Sequence, residues 1–343
     1  LADVPNHKET FVAVESDPDA TRSIVQLMYN DVDNYKPDVT EDDYNKSIVE
    51  NLFSTMLNNR LEELTNSATP PFTFGYSYKG GLVRPKQAFQ SVAMVQDGKQ
   101  LAALKVLMEE TERAKRFGFT QSELDRAKAD LLSNYEKSYN DRDKQESQNL
   151  VNELVNNFLE QEPIPGIEWE YKQHQKVLPT ITLDQVNNVV KNYVRDENRV
   201  VVITGPKKET IVQPTEAQVL ALFDEVKNEK LAAYEDKATI KDLVTPFKST
   251  GKIVKTESDA KLGTTTFTLN NGAKVTYKKT DFKDDEIVFS AASLGGTTTV
   301  SNADIEKTQW AFPALSEAGF NNYSKTDITK FLAGKQVNVN PYV

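Results

Sequence analysis

Cysteine is absent from the 343 residues, and histidine occurs only twice, as His7 and His174. Without thiols there are no disulfide staples, no thiolate zinc sites and no cysteine nucleophile. Two histidines so far apart leave almost no room for Ser–His–Asp chemistry or a histidine-rich metal centre. Positive charge is also short: 41 Lys and Arg against 51 Asp and Glu give a net charge of −10. Such a chain repels phosphate backbones, which argues against nucleic-acid binding. No apolar run approaches the roughly 20 residues of a membrane span. Neither a G-x-G-x-x-G nor a G-x-x-x-x-G-K-[ST] phosphate loop occurs, and there is no G-x-S-x-G elbow. Gly80-Gly81 and Gly295-Gly296 therefore read as hairpin or loop glycines. The chain opens Leu-Ala-Asp, which reads as neither an initiator Met nor a signal peptide, and stops at Pro341-Tyr342-Val343. Both ends look cut from something longer.

What is present suits a folded protein of about two domains, at roughly 150 residues each. The 16 Phe and 13 Tyr can fill a core. Alternation predicts strands over 10–16 and 24–29. From Thr40, close to a capping box with Asp43, residues Ile48, Leu52, Phe53, Met56, Leu57, Leu61 and Leu64 repeat at three and four. They predict a helix over 40–64 with one apolar stripe. Strands follow over 72–78 and 88–95, with Gly80-Gly81 turning the chain. A helix with Leu101, Leu104, Leu107 and Met108 on one face closes at Gly118, and a capping box at Thr120 and Glu123 opens the next. Further helices are expected over 145–159, 168–177 and 182–193, then a buried strand over 198–204. Residues 206–260 shift to Lys, Glu, Thr and Pro around one short helix near 216–227, and read as a linker. Strands over 264–269 and 274–277 flank Asn270-Asn271-Gly272, a strong hairpin signal. A strand over 287–294, helices near 303–318 and 325–332, and a strand starting at 337–339 complete the pattern. The order of elements echoes the chain's start in outline.

Each candidate site has a plainer reading. Asp31-Val32-Asp33 faintly resembles a calcium loop, but Lys36 stands where glycine is needed and Asp42 where Glu is needed; a solvated acidic loop fits better. His174, with Glu170 four residues before it, reads as a surface helix histidine, and His7 as a loop residue. Asp281, Asp284, Asp285 and Glu286 read as a solvated turn rather than a catalytic carboxylate pair. Phe72, Phe74, Tyr76 and Tyr78 form an aromatic stripe. Strand alternation places all four on one face, and core packing is the expectation; a peptide- or carbohydrate-binding platform is the alternative.

Several strings together resemble a known family. They are Asp17-Pro18-Asp19-Ala20-Thr21, Met56-Leu57-Asn58-Asn59-Arg60-Leu61-Glu62-Glu63-Leu64, Phe74-Gly75-Tyr76, Phe119-Thr120-Gln121-Ser122-Glu123-Leu124-Asp125-Arg126-Ala127-Lys128 and Phe267-Thr268-Leu269-Asn270-Asn271-Gly272-Ala273-Lys274-Val275. In this order they resemble the M16 zinc metallopeptidases, the insulinase and pitrilysin group. The resemblance implies an α+β fold of M16-type domains, each a mostly antiparallel sheet packed against several helices. It divides the chain into a noncatalytic domain over 1–205, a linker over 206–260 and a partial, degenerate domain over 261–343.

In that family two halves enclose a peptide chamber, and an H-x-x-E-H helix binds zinc that activates water. No H-x-x-E-H occurs here, so no catalytic and no metal residue is assigned, and the substrate-binding residues stay open. The family's substrate-anchoring Arg–Tyr pair is incomplete: Tyr76 stands at the Tyr position, and Thr65 at that of the Arg. The resemblance thus implies a fragment of a zinc endopeptidase, inactive alone, forming part of the chamber wall. Zinc would sit in a domain upstream of Leu1. Its partners would be a peptide substrate and other M16 domains of the same chain or of a partner subunit. A noncatalytic M16-fold subunit of an active peptidase is the alternative. Family analogy points to the bacterial periplasm or cell envelope, and otherwise to the cytoplasm.

Overall fold

The computed structural model describes residues 4–236, 240, 242–246 and 248–341. Strands β1 (Phe11–Asp17), β2 (Ser23–Asn30), β3 (Phe74–Val83), β4 (Lys86–Val95) and β5 (Arg199–Pro206) form one sheet in the order β1-β5-β2-β4-β3. Only β1 and β5 run parallel; the remaining neighbours are antiparallel. The last strand in sequence thus slots between the first two. The fold is α+β, as the resemblance implies.

Helices cover one face of this sheet. They are α1 (Glu41–Thr65), α2 (Gln100–Phe117), α3 (Gln121–Asn140), α5 (Ile167–Val177), α6 (Leu183–Tyr193) and α7 (Glu216–Asn228), while α4 (Ser147–Glu160) stands outside the core. Val25, Leu27, Phe89, Ala93, Val201 and Ile203 point from the strands into the core and meet the stripe of α1. The capping boxes at Thr40/Asp43 and Thr120/Glu123 are formed, and two more, at Thr182/Gln185 and Thr215/Gln218, start α6 and α7. Each satisfies backbone N–H groups that a helix start leaves open.

Several expectations change. Gly80-Gly81 does not turn the chain; β3 runs through both glycines to Val83, and the turn falls at Arg84-Pro85. Within 206–260, α7 is part of the main core: Val219, Leu222 and Val226 are buried in it. Its apolar face at three- and four-residue spacing outweighs the polar composition around it. The same stretch also holds β6 (Ile253–Asp259), which alternation did not reveal.

The C-terminal part is built differently. β6, β7 (Thr264–Leu269) and β8 (Lys274–Tyr277) form an antiparallel sheet in the order β6-β7-β8, followed by α8 (Ile305–Ala318) and α9 (Lys325–Phe331). No residue of this sheet is buried, and among the described residues the core ends at Val226. The expected strand at 287–294 is an unpaired chain with Ile287, Val288 and Phe289 exposed, and 337–339 forms no strand either. An apolar alternating sequence becomes a strand only when neighbours supply its ladder.

A polar clasp fastens this part to the first. The Arg60 guanidinium, 2% exposed, makes a bidentate pair with Glu123 at 2.7 and 2.9 Å. It lies between the rings of Phe119 and Tyr234, at 4.5 and 4.3 Å. Lys330 of α9 reaches Glu63 at 2.8 Å, the Tyr234 hydroxyl at 2.9 Å and Asp236 at 3.0 Å. Arg126 holds Asp236 at 2.9 Å. Burial alone would lower the Lys330 pKa, but its bonds to Glu63, Tyr234 and Asp236 carry it above the ordinary value. Beyond α9, the Gly334 amide donates to Asp130 at 2.6 Å.

Candidate functional site

The face of the five-stranded sheet opposite the helices is open at its Phe74, Tyr76 and Ile24 end and closed at its Met28 and Gln90 end, where both side chains are buried. Its register sets side chains in rows across the strands: Phe74, Met94, Ile24 and Thr204; then Tyr76, Val92, Gln26 and Val202; then Tyr78, Gln90, Met28 and Val200. Phe74 and Tyr76 are 52% and 44% exposed. Along β3 the rings stack, Phe74 on Tyr76 at 6.3 Å and Tyr76 on Tyr78 at 6.0 Å between centroids.

This corrects the expectation of a buried four-ring stripe. Phe72 precedes the strand and is 2% exposed. It packs so close under Gly75 that a Cβ there would lie 2.6 Å from its ring. From Phe74 onward the aromatics point away from the helices. The reason lies in the alternate residues: Gly75 and Ser77 face α1, which approaches β3 closely. Asn58 of α1 brackets Ser77, donating to its carbonyl at 2.8 Å and accepting from its amide at 2.7 Å. Small residues fit that seam, so the large rings take the other face. The small–large alternation was the signal available in the sequence.

At the end of this ladder a cleft of about 940 Å³ opens between residues 31–38, the first half of α1 and the end of α6. Tyr76, Tyr78, Lys79, Glu50 and Tyr193 are among its lining residues. Lys79 forms an ion pair with Asp31 and lies 5.0 Å from the centre of the Tyr193 ring. Asp31 is therefore a paired carboxylate rather than part of a freely solvated loop. Burial lowers the Lys79 pKa, against the pull of Asp31. Burial, with Glu50 nearby, raises that of Tyr193. Aromatic faces and charges of both signs in a cleft of this size suit the binding of polypeptide. Nothing in this set is arranged as a nucleophile with its base.

The two histidines lie apart from this surface. His7 is a loop residue whose Nδ1 meets the Glu9 carbonyl oxygen at 2.6 Å, with its ring stacked on Phe11. His174 is not a surface residue: it is 2% exposed, with its ring stacked on Tyr135 at 3.6 Å and Tyr44 edge-on at 6.0 Å. The polar residues around it in sequence conceal that its own side of α5 packs on α1 and α3. Asp284 accepts from Lys144 at 2.8 Å and Asp285 from Asn140 at 3.1 Å, so the acidic run of 281–286 is a set of exposed loop contacts.

No family model matches the chain. It is 27% identical over 332 residues to a zinc protease PQQL-like protein of Arabidopsis thaliana, covering 96% of this chain and 31% of the relative. It is 21% identical over 295 residues to a probable zinc protease PqqL of Haemophilus influenzae, covering 84% of this chain and 31% of that protein. The crystal structure of the periplasmic protease PqqL from Escherichia coli superposes with a TM-score of 0.62 at 18% identity, over 96% of this chain and 36% of that one. The chain thus spans about a third of the length of these relatives. Among the described residues no three His, Cys, Asp or Glu side chains converge to hold a metal ion. The zinc that the relatives' names imply does not fit the described residues.

Proposed function

We propose, from the premise that this chain has the fold of the M16 zinc peptidases and is similar along most of its length to proteins named zinc proteases, that it forms a noncatalytic part of a peptide-enclosing chamber. The whole protein would hydrolyse peptides with zinc-activated water, and the zinc would be held by a domain outside these residues. The observation that carries the reading is the open sheet face. An aromatic ladder of Phe74, Tyr76 and Tyr78 runs along an edge strand into a cleft large enough for several side chains. An exposed aromatic patch at a sheet edge, here Phe74 and Tyr76 with Ile24 on the same face, suits binding rather than solvent.

The division into a noncatalytic domain, a connection and a partial M16-type domain over 261–343 belongs to the same proposal. Its support is the exposed small sheet and the unpaired run 287–294. In the first sheet, β2 follows the opening strand and lies between β5 and β4, both later in the chain. By that order, 287–294 would take its neighbours from strands that follow α9. The periplasm is the proposed compartment, on the description of the E. coli relative.

The test is fluorescence anisotropy with a fluorescein-labelled unfolded protein, reduced and carboxymethylated α-lactalbumin. The chain should bind it without cleaving it, and the double variant F74S/Y76S should bind at least about 10-fold more weakly at an unchanged melting temperature. Equal binding by the variant would remove the open face from the proposal.

A further inference from the structure

Helix α4 is an amphipathic helix with no buried residue. Leu150, Leu154 and Phe158 follow at intervals of four, as do Val151, Val155 and Leu159, so the six side chains form one continuous stripe. All six are exposed, Phe158 to 85%. Among the described residues, the side-chain hydrogen bonds of α4 stay within the helix or reach the loop just after it: Gln148 to Asn152, and Asn157 to the Glu162 carbonyl. A helix of this length is marginal in water on its own, so a stripe so complete calls for a covering surface.

Charge defines what that surface is. Glu146 at the N-cap, Glu153, and Glu160 in the last turn are spaced by seven and run down one border of the stripe, and no Lys, Arg or His occurs from 146 to 160. A second copy packed antiparallel would set this acidic border against its own equivalent. A basic-rimmed apolar groove would meet both the stripe and the border. Length suggests the source of that groove, because the relatives are about three times as long as this chain.

We propose that α4 is a docking helix, seated in an apolar groove bordered by Lys or Arg on a further domain of the same polypeptide. This rests on the reading of the chain as part of a longer M16-type protein, but it concerns a different surface from the aromatic ladder.

Hydrogen–deuterium exchange on the full-length gene product and on the isolated 343-residue chain tests it. The α4 amides should exchange at least about 100-fold more slowly in the full-length protein. The triple variant E146K/E153K/E160K should lose that protection there, yet leave the melting temperature of the isolated chain unchanged. Equal exchange of α4 in both proteins would overturn the proposal, as would a gene product with no further domain. So would sedimentation showing a dimer of the isolated chain that L154E dissolves, since the occupant would then be a second copy. Protection that appears only when unfolded α-lactalbumin is added would overturn it too, in favour of substrate. Failure of the chamber reading appears elsewhere, as unchanged peptide affinity in F74S/Y76S, and leaves the α4 result standing.

Discussion

Replacing Glu123 with Gln separates two roles that one carboxylate fills. Glu123 closes the capping box of α3, where its Oε2 accepts from the Thr120 amide at 2.7 Å. The same carboxylate neutralises Arg60, whose guanidinium is shut away beneath the Tyr234 ring with Nη1 lacking any partner. Glutamine keeps the cap, because the capping box accepts Glu or Gln. It removes the counter-charge and leaves a buried cation supported by one carbonyl, that of Gly118 at 3.1 Å, and two ring faces. Breaking a buried pair from one side costs about 3–5 kcal/mol, whereas losing a cap costs about 1 kcal/mol. For a cooperative unit of this size each kcal/mol moves the melting temperature by about 2–4 °C. E123Q should therefore melt about 6–20 °C lower, and T120A, which loses only its cap, about 2–4 °C lower. Differential scanning calorimetry reads both, and urea midpoints with unchanged slopes confirm that the change is in stability. The double variant R60M/E123Q should recover most of the loss, since the methionine fills the slot between the rings without a charge. A shift in E123Q no larger than in T120A would refute the reasoning: the cap, and not the buried charge, would then be what Glu123 contributes.

Phe72→Ala should cost about 3–5 kcal/mol, as for other core phenylalanines, while Phe74→Ala should cost less than about 1 kcal/mol; equal costs in thermal melts would mean the open face is covered. Gly75→Ala should destabilise sharply, because its Cβ would lie 2.6 Å from the Phe72 ring, and the double variant G75A/F72L should recover part of the loss. Burial holds the His174 pKa below its ordinary value, so near pH 6.5 the unfolded chain binds a proton that the folded chain refuses. That stability is present above this pH and is lost as pH falls through about 6.5 towards the folded value. Glu170 beside it is raised by burial and acts in the opposite sense at lower pH, so the comparison is with H174Q, whose melting temperature should fall less between pH 7 and 5.5; parallel profiles would exclude the histidine. Limited proteolysis should cut first between about residues 242 and 252, leaving a fragment that retains α7; a fragment ending near 206 would show that α7 is dispensable to the core.

The sequence by itself determined most of the local structure. The stripe of α1, the Thr40 and Thr120 boxes and the Asn270-Asn271-Gly272 hairpin all rest on interactions within a few residues, and all formed as read. The family strings carried the M16 likeness for the same reason: they are local. Tertiary structure decided everything that depended on which face meets which neighbour. Alternation put Phe74, Tyr76 and Tyr78 together, but the close approach of α1 to Gly75 and Ser77 turned them outward. The helix near 216–227 was legible, but the polar composition around it hid its place in the core, where Val219, Leu222 and Val226 are buried. Residues 287–294 carry a strand sequence and form none, since a strand is a property of pairs. Arg60 stands on the α1 stripe, four residues after Met56 and three after Leu57, but nothing in its own string shows what would satisfy its charge. It is buried because Glu123 and Phe119, about 60 residues on, and Tyr234, about 170 residues on, meet around it, and only the folded chain brings opposite charge and aromatic faces close enough to replace the water that a guanidinium gives up.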